Sequence, residues 1–256
     1  MTTEIKQFKV ENLTVRIFKD ALSAGKSSAE FVTEHLNEAI QAKGHANLIL
    51  ATGASQFAFI EALKKLPIDW SKITVFHLDE YIDLPETHPA SFRKYLKERI
   101  LDEVKPYQVH YINGDARDTE GEVTRYEELL KAVTIDVACI GIGENGHIAF
   151  NDPWIADFND PRLVKVVPLD DVSRRQQLGE GWFSTLEEVP KEAISLTIPA
   201  ITRCKVISCM VPDERKADAV YNTLNMEIST TCPATILRKH PYTVLFLDED
   251  SASQLK

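Results

Sequence analysis

The sequence predicts an α/β fold in which helices cover both faces of a Rossmann-like, mostly parallel sheet. Short apolar runs alternate with segments of helical periodicity, which is the order expected for parallel strands joined by helices. The chain of 256 residues also contains no internal repeat, low-complexity tract or Gly/Ser-rich linker. We therefore predict a single domain over residues 1–256.

The first half of the chain contains the clearest alternation. Ser27 and Glu30 fit a capping box, so we expect a helix to begin there and to end at Gly44. NLILA (47–51) and ITVFHLD (73–79) are apolar runs typical of buried strands. Further helices are predicted over FAFIEALKKL, SFRKYLKERIL and EVTRYEELLKAV, with a strand at VHYI.

The second half is less regular. IDVACIGI, AISLTI, KVISCMV and TVLFL are predicted strands, and ERKADAVYNTL is a predicted helix. The alternation weakens over residues 153–190, so this segment is the best candidate for an insertion or a lid. Its aromatic residues beside glycine, in WIADFND and LGEGWF, are typical of mobile active-site loops, although a packed loop is equally compatible with them.

Composition excludes several classes of protein. The 29 basic and 39 acidic residues give a net charge of −10, which disfavours nucleic acid and anionic membranes as partners. We expect neither a signal peptide nor a membrane span, since no stretch approaches the ~20 apolar residues that a span requires. The four cysteines lack CxxC spacing, so we expect buried free thiols in a reducing cytoplasm.

Three segments at predicted strand ends carry candidate chemistry, since ligands of open α/β sheets bind at the carboxyl ends of strands. The first is Thr52-Gly53-Ala54-Ser55, where a glycine turn leads into a helix and offers N–H groups and hydroxyls to a phosphate. Read alone, Ser55 could equally be a helix cap.

The second segment is Asp79-Glu80-Tyr81. A half-buried carboxylate at a strand end has a raised pKa and could act as a general base, although both acids could instead cap nearby backbone. The third is GIGENGHIAFNDP (141–153), where His147 could carry protons near neutral pH. A single histidine is as readily structural.

Together these segments resemble the glucosamine-6-phosphate deaminase/isomerase family, which shares its fold with the 6-phosphogluconolactonases. The resemblance rests on TGAS, LDEYIDLPETHPASF and GIGENGHIAFNDP, in this order and spacing, and extends to DERKADA at 213–219. The lactonases typically have DER in place of DEY and a GHTAS-type continuation after the histidine. Tyr81 and the run IAFN (148–151) therefore favour the deaminase/isomerase branch.

The resemblance implies conversion of a 2-amino-2-deoxyaldose 6-phosphate into a ketose 6-phosphate with release of ammonia, without a metal or an organic cofactor. It implies that Asp79 moves a proton between C2 and C1, and that His147 opens the sugar ring with help from Asp152 and Asn145. The implied substrate-binding residues are Thr52, Gly53, Ala54, Ser55, Glu80, Gly146, Lys216 and an arginine, either Arg174 or Arg175.

Position 145 departs from the family pattern. The best-known branch usually has aspartate at 145 and glutamate at 152, whereas this chain has Asn145 and Asp152. An asparagine carbonyl can accept a hydrogen bond from imidazole but cannot stabilise imidazolium by charge. We expect the shorter Asp152 to reach His147 only after backbone adjustment, with Glu144 as a substitute charge. The departure leaves the identity of the amino sugar open.

Two alternatives remain open from the sequence. One is a 6-phosphogluconolactonase-type hydrolase that uses His147 to activate water. The other is a non-catalytic sugar-phosphate sensor, which the neutral Asn145 would fit. The sequence also leaves allostery open, and it is compatible with a homo-oligomer.

Overall fold

The computed structural model describes residues 3–179 and 181–255. An eight-stranded sheet in the order β1-β2-β11-β10-β7-β3-β4-β6 forms its centre, and a three-stranded sheet in the order β5-β9-β8 lies beside it. Within the described residues the strands are β1 (Glu4–Val10), β2 (Leu13–Phe18), β3 (Ala46–Leu50), β4 (Ile73–His77), β5 (Asp79–Tyr81), β6 (Gln108–Val109), β7 (Val137–Ile140), β8 (Val164–Pro168), β9 (Glu192–Leu196), β10 (Val206–Val211) and β11 (Thr243–Asp248).

The pairing confirms the predicted fold class. From β2 to β6 all neighbours in the large sheet are parallel, and only the β1–β2 hairpin at its edge is antiparallel. The small sheet is antiparallel throughout. The sequence pattern did not predict the β1–β2 hairpin.

Helices cover both faces of the large sheet. In the described chain they are α1 (Ala21–Lys43), α2 (Phe57–Leu63), α3 (Phe92–Leu96), α4 (Asp102–Val104), α5 (Thr119–Lys131), α6 (Asp171–Gly179), α7 (Ile198–Thr202) and α8 (Ala217–Asn225). A wider π-type turn at Lys97–Leu101 joins α3 to α4. One apolar core unites α1, α2 and α3 with the sheet, and a second unites α5, α7 and α8 with the opposite face.

The start of α1 differs from the prediction. The helix begins at Ala21, because the Asp20 side chain accepts a hydrogen bond from the Ser23 N–H at 2.7 Å and caps it. Ser27 and Glu30 therefore lie inside the helix and form no capping box. Gly44 ends the helix as predicted, with φ +84° and its N–H bonded to the Ile40 carbonyl.

Residues 153–190, the candidate lid, contain β8 and α6 and contribute to a third apolar core. Phe183 and Val189 pack there with Tyr81 and Phe150, which belong to the main body of the domain. The segment is therefore packed against the carboxyl-end side of the sheet rather than projecting from it. Trp154, by contrast, is 56% exposed.

No helix of the described chain is both long and apolar enough to cross a membrane. The four cysteines are buried and free, as predicted.

Candidate active site

A cavity of about 560 Å³ opens at the carboxyl ends of five parallel strands of the large sheet. Its walls come from the segments that follow β3, β4, β7 and β10, from the end of β11, and from α6. This is the edge at which open α/β sheets bind ligands. The described wall includes Thr52, Gly53, Ala54, Ser55, Asp79, Gly141, Gly143, His147, Gln176, Gln177, Arg215 and Lys216.

The loop after β3 has the shape of an anion cradle. Gly53 has φ +95° and ψ +167°, a conformation that side chains rarely allow, and the turn Ala54–Gln56 then leads into α2. The Tyr95 hydroxyl donates a 2.8 Å hydrogen bond to the Gly53 carbonyl and holds the loop in place. Thr52, Gly53, Ala54 and Ser55 all line the cavity, so the backbone N–H groups and two hydroxyls of this loop are candidate donors to an anion.

Two cations face this loop from the segment after β10. Lys216 is only 7% exposed and lines the cavity. Arg215 also lines the cavity, and its guanidinium pairs with Asp213 through contacts of 2.9 and 3.1 Å. A buried ammonium in the same cavity as the 52–55 loop makes this part of the cavity suited to a phosphate.

Asp79 lies on another wall of the same cavity and is 8% exposed. Burial raises the pKa of Asp79 to about 8, and the charge of Glu80 contributes to the rise. His77 holds the backbone here: its Nδ1 donates to the Asp79 carbonyl at 2.9 Å, and its Nε2 accepts from the Ile112 N–H at 2.8 Å. Burial lowers the pKa of His77 to about 3, so this ring is neutral and structural.

Glu80, a predicted substrate-binding residue, is not part of the described cavity wall. Its side chain is fully buried and accepts hydrogen bonds from the backbone N–H groups of Tyr81, Phe92 and Arg93. It also accepts from the Ser91 hydroxyl and from Arg93 Nε. Glu80 therefore anchors the first turn of α3, in keeping with the alternative reading that it caps nearby backbone.

His147 enters the cavity from the glycine turn, and Asp152 lies behind it. The distance from His147 Nδ1 to Asp152 Oδ1 is 3.0 Å, and Asp152 is fully buried. Asp152 therefore reaches the imidazole although its side chain is one methylene shorter than that of glutamate. Because Nδ1 faces the carboxylate, Nε2 is the ring nitrogen left for a substrate.

Asn145 supports this pair in a way that the sequence did not predict. Its Nδ2 donates to Asp152 Oδ1 at 2.8 Å, and its Oδ1 accepts from the His147 backbone N–H at 3.0 Å. The Ser173 hydroxyl donates to the same carboxylate oxygen at 2.6 Å. Burial works to raise the pKa of Asp152, but the hydrogen bonds from His147, Asn145 and Ser173 outweigh it and leave the pKa below its ordinary value.

The glycines of this turn make room for the imidazole. A Cβ on Gly143 would lie 2.1 Å from ring atoms of His147, so only glycine fits there. Gly146 has φ +85°, and its N–H donates to the Gly143 carbonyl. Gly146, a predicted substrate-binding residue, faces Cys232 and is not part of the described cavity wall.

Arg174 and Arg175, one of which is predicted to bind phosphate, are not part of the described cavity wall. The Arg174 guanidinium donates to the carbonyls of Leu186 and Val189 and pairs with Asp171 at 3.2 Å. It therefore fastens α6 to the segment that follows. Arg175 is exposed.

Comparison with known proteins identifies the family of this chain. Residues 19–245 match the model of the family described as glucosamine-6-phosphate isomerases/6-phosphogluconolactonase. The chain belongs to this family. Among the members of the glucosamine-6-phosphate isomerases/6-phosphogluconolactonase family, a glucosamine-6-phosphate deaminase from an Exiguobacterium species is 37% identical over 219 residues, which cover 86% of this chain and 84% of that protein. One from Bacillus cereus strain B4264 is 35% identical, with 85% and 81% covered.

Solved structures of the family show the same fold. A monomeric glucosamine-6-phosphate deaminase superposes with a TM-score of 0.86 at 29% identity, covering 93% of this chain and 98% of that one. A putative 6-phosphogluconolactonase from Neisseria gonorrhoeae superposes with a TM-score of 0.74 at 21% identity, covering 92% and 99%. The latter likeness concerns the fold alone.

Residues that the sequence reasoning missed come from three places. Arg215 is adjacent to Lys216 in DERKADA, so its position one residue before the predicted phosphate ligand was the available signal. Gln176 and Gln177 line the cavity from α6, inside the segment recognised as a candidate lid. His77 and Ser173 act through buried contacts that no linear pattern marks. No group of three or more His, Cys, Asp and Glu side chains among residues 3–179 and 181–255 could hold a metal ion.

Proposed function

We propose that this chain is a glucosamine-6-phosphate deaminase, an aldose–ketose isomerase that releases ammonia from an amino-sugar phosphate. The observation that carries the proposal is the convergence of Asp79, His147 and Lys216 on one cavity, with the 52–55 loop beside them. Relatives at 35–37% identity over most of the chain carry this name. The substrate, a phosphorylated amino sugar, matches the groups available on each wall.

The phosphate would bind to the 52–55 loop and to the ammonium of Lys216, with Arg215 as a second cation. These contacts fix one end of the sugar, so its C1–C2 end extends toward the opposite wall. Holding the reacting carbons beside a base turns a slow encounter into an intramolecular step. Phosphate binding and the reaction at C1 and C2 are therefore assigned to different residues of the cavity.

His147 would open the pyranose ring. Nδ1 is held by Asp152, so the lone pair of Nε2 can take the proton of the C1 hydroxyl and pass it to the ring oxygen, which breaks the bond between C1 and the ring oxygen and exposes the C1 aldehyde. The buried carboxylate of Asp152 stabilises the imidazolium that forms whenever Nε2 holds a proton. Asn145 takes part by orienting the carboxylate, not by supplying charge.

Asp79 would be the base of the isomerisation. Its carboxylate takes the proton from C2 to give an enolamine and returns that proton to C1, which leaves an iminium at C2. Water then adds to C2, ammonia leaves, and the ketose 6-phosphate remains. A base with a pKa of about 8 is matched to a weakly acidic C–H, and the cationic nitrogen of the substrate favours its ionised form.

The experiment is an ammonia-release assay on glucosamine, galactosamine and mannosamine 6-phosphates, with the ketose phosphate measured in parallel. We expect ammonia and ketose in equal amounts from at least one of them, and fructose 6-phosphate from glucosamine 6-phosphate. Asp79→Asn is the matched control, since it keeps the size of the side chain and should abolish turnover while sugar-phosphate binding persists. Hydrolysis of 6-phosphogluconolactone without ammonia release, or binding without any product, would refute the proposal.

We also propose that the enzyme acts in the cytoplasm, where free thiols such as the four buried cysteines persist.

A further inference from the structure

Ser173 is a buried serine on α6 that touches the histidine–carboxylate pair from the side of the candidate lid. It is 1% exposed, and its hydroxyl donates a 2.6 Å hydrogen bond to Asp152 Oδ1. The same oxygen of Ser173 lies 3.4 Å from His147 Nδ1. Since the hydroxyl proton points to Asp152, Ser173 Oγ can only accept from Nδ1. The three groups therefore form a closed triangle.

All described hydrogen bonds to the Asp152 side chain go to one of its two carboxylate oxygens. Asp152 Oδ1 accepts hydrogen bonds from Asn145 Nδ2 and the Ser173 hydroxyl and contacts His147 Nδ1. Its other oxygen, Oδ2, is buried without a hydrogen-bond partner among the described residues. The orientation of the carboxylate thus depends on the donors around Oδ1. Removing one of them frees the carboxylate to rotate and present the other oxygen.

Helix α6 makes a second contact with the same turn. The Glu144 N–H donates to Gln176 Oε1 at 3.1 Å, and the side chains of Gln176 and Gln177 line the cavity. The helix therefore forms part of the substrate wall and is joined at one end to the histidine–carboxylate pair. The contact between Ser173 and Asp152 is the buried link between these two parts.

We infer that Ser173 is a positioning residue: by bonding to Asp152 and accepting from His147, it holds the imidazole in its Nδ1–H tautomer and ties ring opening to the placement of α6. The catalytic part of this inference rests on the proposed deaminase function. The structural part does not, because the tautomer is a property of the free protein. In the Nδ1–H tautomer, Nε2 carries the free lone pair that exchanges a proton with the substrate.

The test combines three variants of one position. Ser173→Ala removes the hydroxyl, Ser173→Cys keeps the volume with a much weaker donor, and Ser173→Thr keeps the hydroxyl. Ser184→Ala is the matched control, because Ser184 is an exposed serine in the same segment. For each variant, long-range ¹H–¹⁵N correlation spectra report the tautomer of His147, with His147→Gln used for assignment.

We expect Ser173→Ala and Ser173→Cys to populate the second tautomer and to lower kcat about tenfold with KM changed less than about twofold, as the loss of one charge-assisted hydrogen bond predicts. Ser173→Thr should restore both readouts, and Ser184→Ala should match the wild type. An unchanged tautomer with normal kcat in Ser173→Ala would overturn the inference. Equal losses in the Ala and Thr variants, together with a lower Tm, would also overturn it and indicate a packing role. A wild-type protein with no deaminase activity would refute the proposed function, and the tautomer measurement would still decide the positioning role.

Discussion

Replacing Asn145 by aspartate tests whether a neutral side chain is needed beside the buried Asp152 carboxylate. In the wild type, Asn145 Nδ2 donates to Asp152 Oδ1 at 2.8 Å. In Asn145→Asp the donor becomes a second carboxylate oxygen at nearly the same distance. The variant therefore places a second negative charge beside the buried carboxylate of Asp152.

The magnitude follows from that distance. Two unit charges about 3 Å apart repel by about 5 kcal/mol at an effective dielectric constant of about 20. At about 1.4 kcal/mol per pKa unit, this would raise the pKa of the carboxylate pair by up to about 4 units. Rotation of the two side chains relieves part of this charge repulsion. We therefore expect a loss of about 2–3 kcal/mol in unfolding free energy once both acids are ionised.

The dependence on pH has a definite sign. The folded pKa of the pair is raised above the unfolded value of about 4, so the protonated form is favoured in the folded state. The variant should therefore match the wild type at low pH and lose stability as pH rises through the raised pKa. The slope of the difference should not exceed about 1.4 kcal/mol per pH unit, the value for one proton.

Urea unfolding of both proteins between pH 4.5 and 8.5 measures this difference. The matched control is Asn145→Asp combined with Asp152→Asn, which exchanges the acid and the amide and keeps one charge. We expect the slope to disappear in the exchanged variant. A stability difference that stays constant with pH in Asn145→Asp would show that the two side chains do not interact as described.

Three further outcomes are expected. Because Asp79 must be ionised to act as a base and its pKa is about 8, kcat/KM should rise with pH and level off above about pH 8; a flat profile from pH 6 to 9 would remove it from that role. His147→Ala should lower turnover of the cyclic substrate about 10²–10⁴-fold and affect an acyclic amino-sugar phosphate much less, whereas equal losses would contradict ring opening as its task. Lys216→Met should raise KM for the phosphorylated sugar about tenfold or more with little change in kcat, and a change confined to kcat would argue against phosphate binding.

The sequence predicted the parts of the fold that depend on local apolar patterns. The buried strands β3, β4, β7, β10 and β11 were all recognisable, since strands covered on both faces read as continuous apolar runs. Because parallel strands place their carboxyl ends at one edge, the segments at Thr52–Ser55, Asp79 and His147 could be expected to meet. The α1 start was placed wrongly because two cap sequences compete there, and Asp20 is the one used.

Other features depend on contacts between segments distant in sequence, and no local pattern encodes them. Glu80 is adjacent to Asp79 in sequence, which suggests a carboxylate in the cavity. In the structure, the backbone N–H groups at the start of α3 donate to its carboxylate oxygens instead. Arg174 looks like a phosphate ligand until the carbonyls of Leu186 and Val189 are seen to satisfy it. The role of Ser173 could not be predicted from the sequence, because its partner Asp152 lies 21 residues away along the chain.

The contact between Gly143 and the imidazole limits how this site can change. Even a single methyl group at position 143 would overlap the ring at 2.1 Å, so a saturation library there should return only the parent residue among functional clones. New substrate preference would therefore have to arise on other walls of the cavity, away from this turn. The wall around the imidazole is thus fixed by packing.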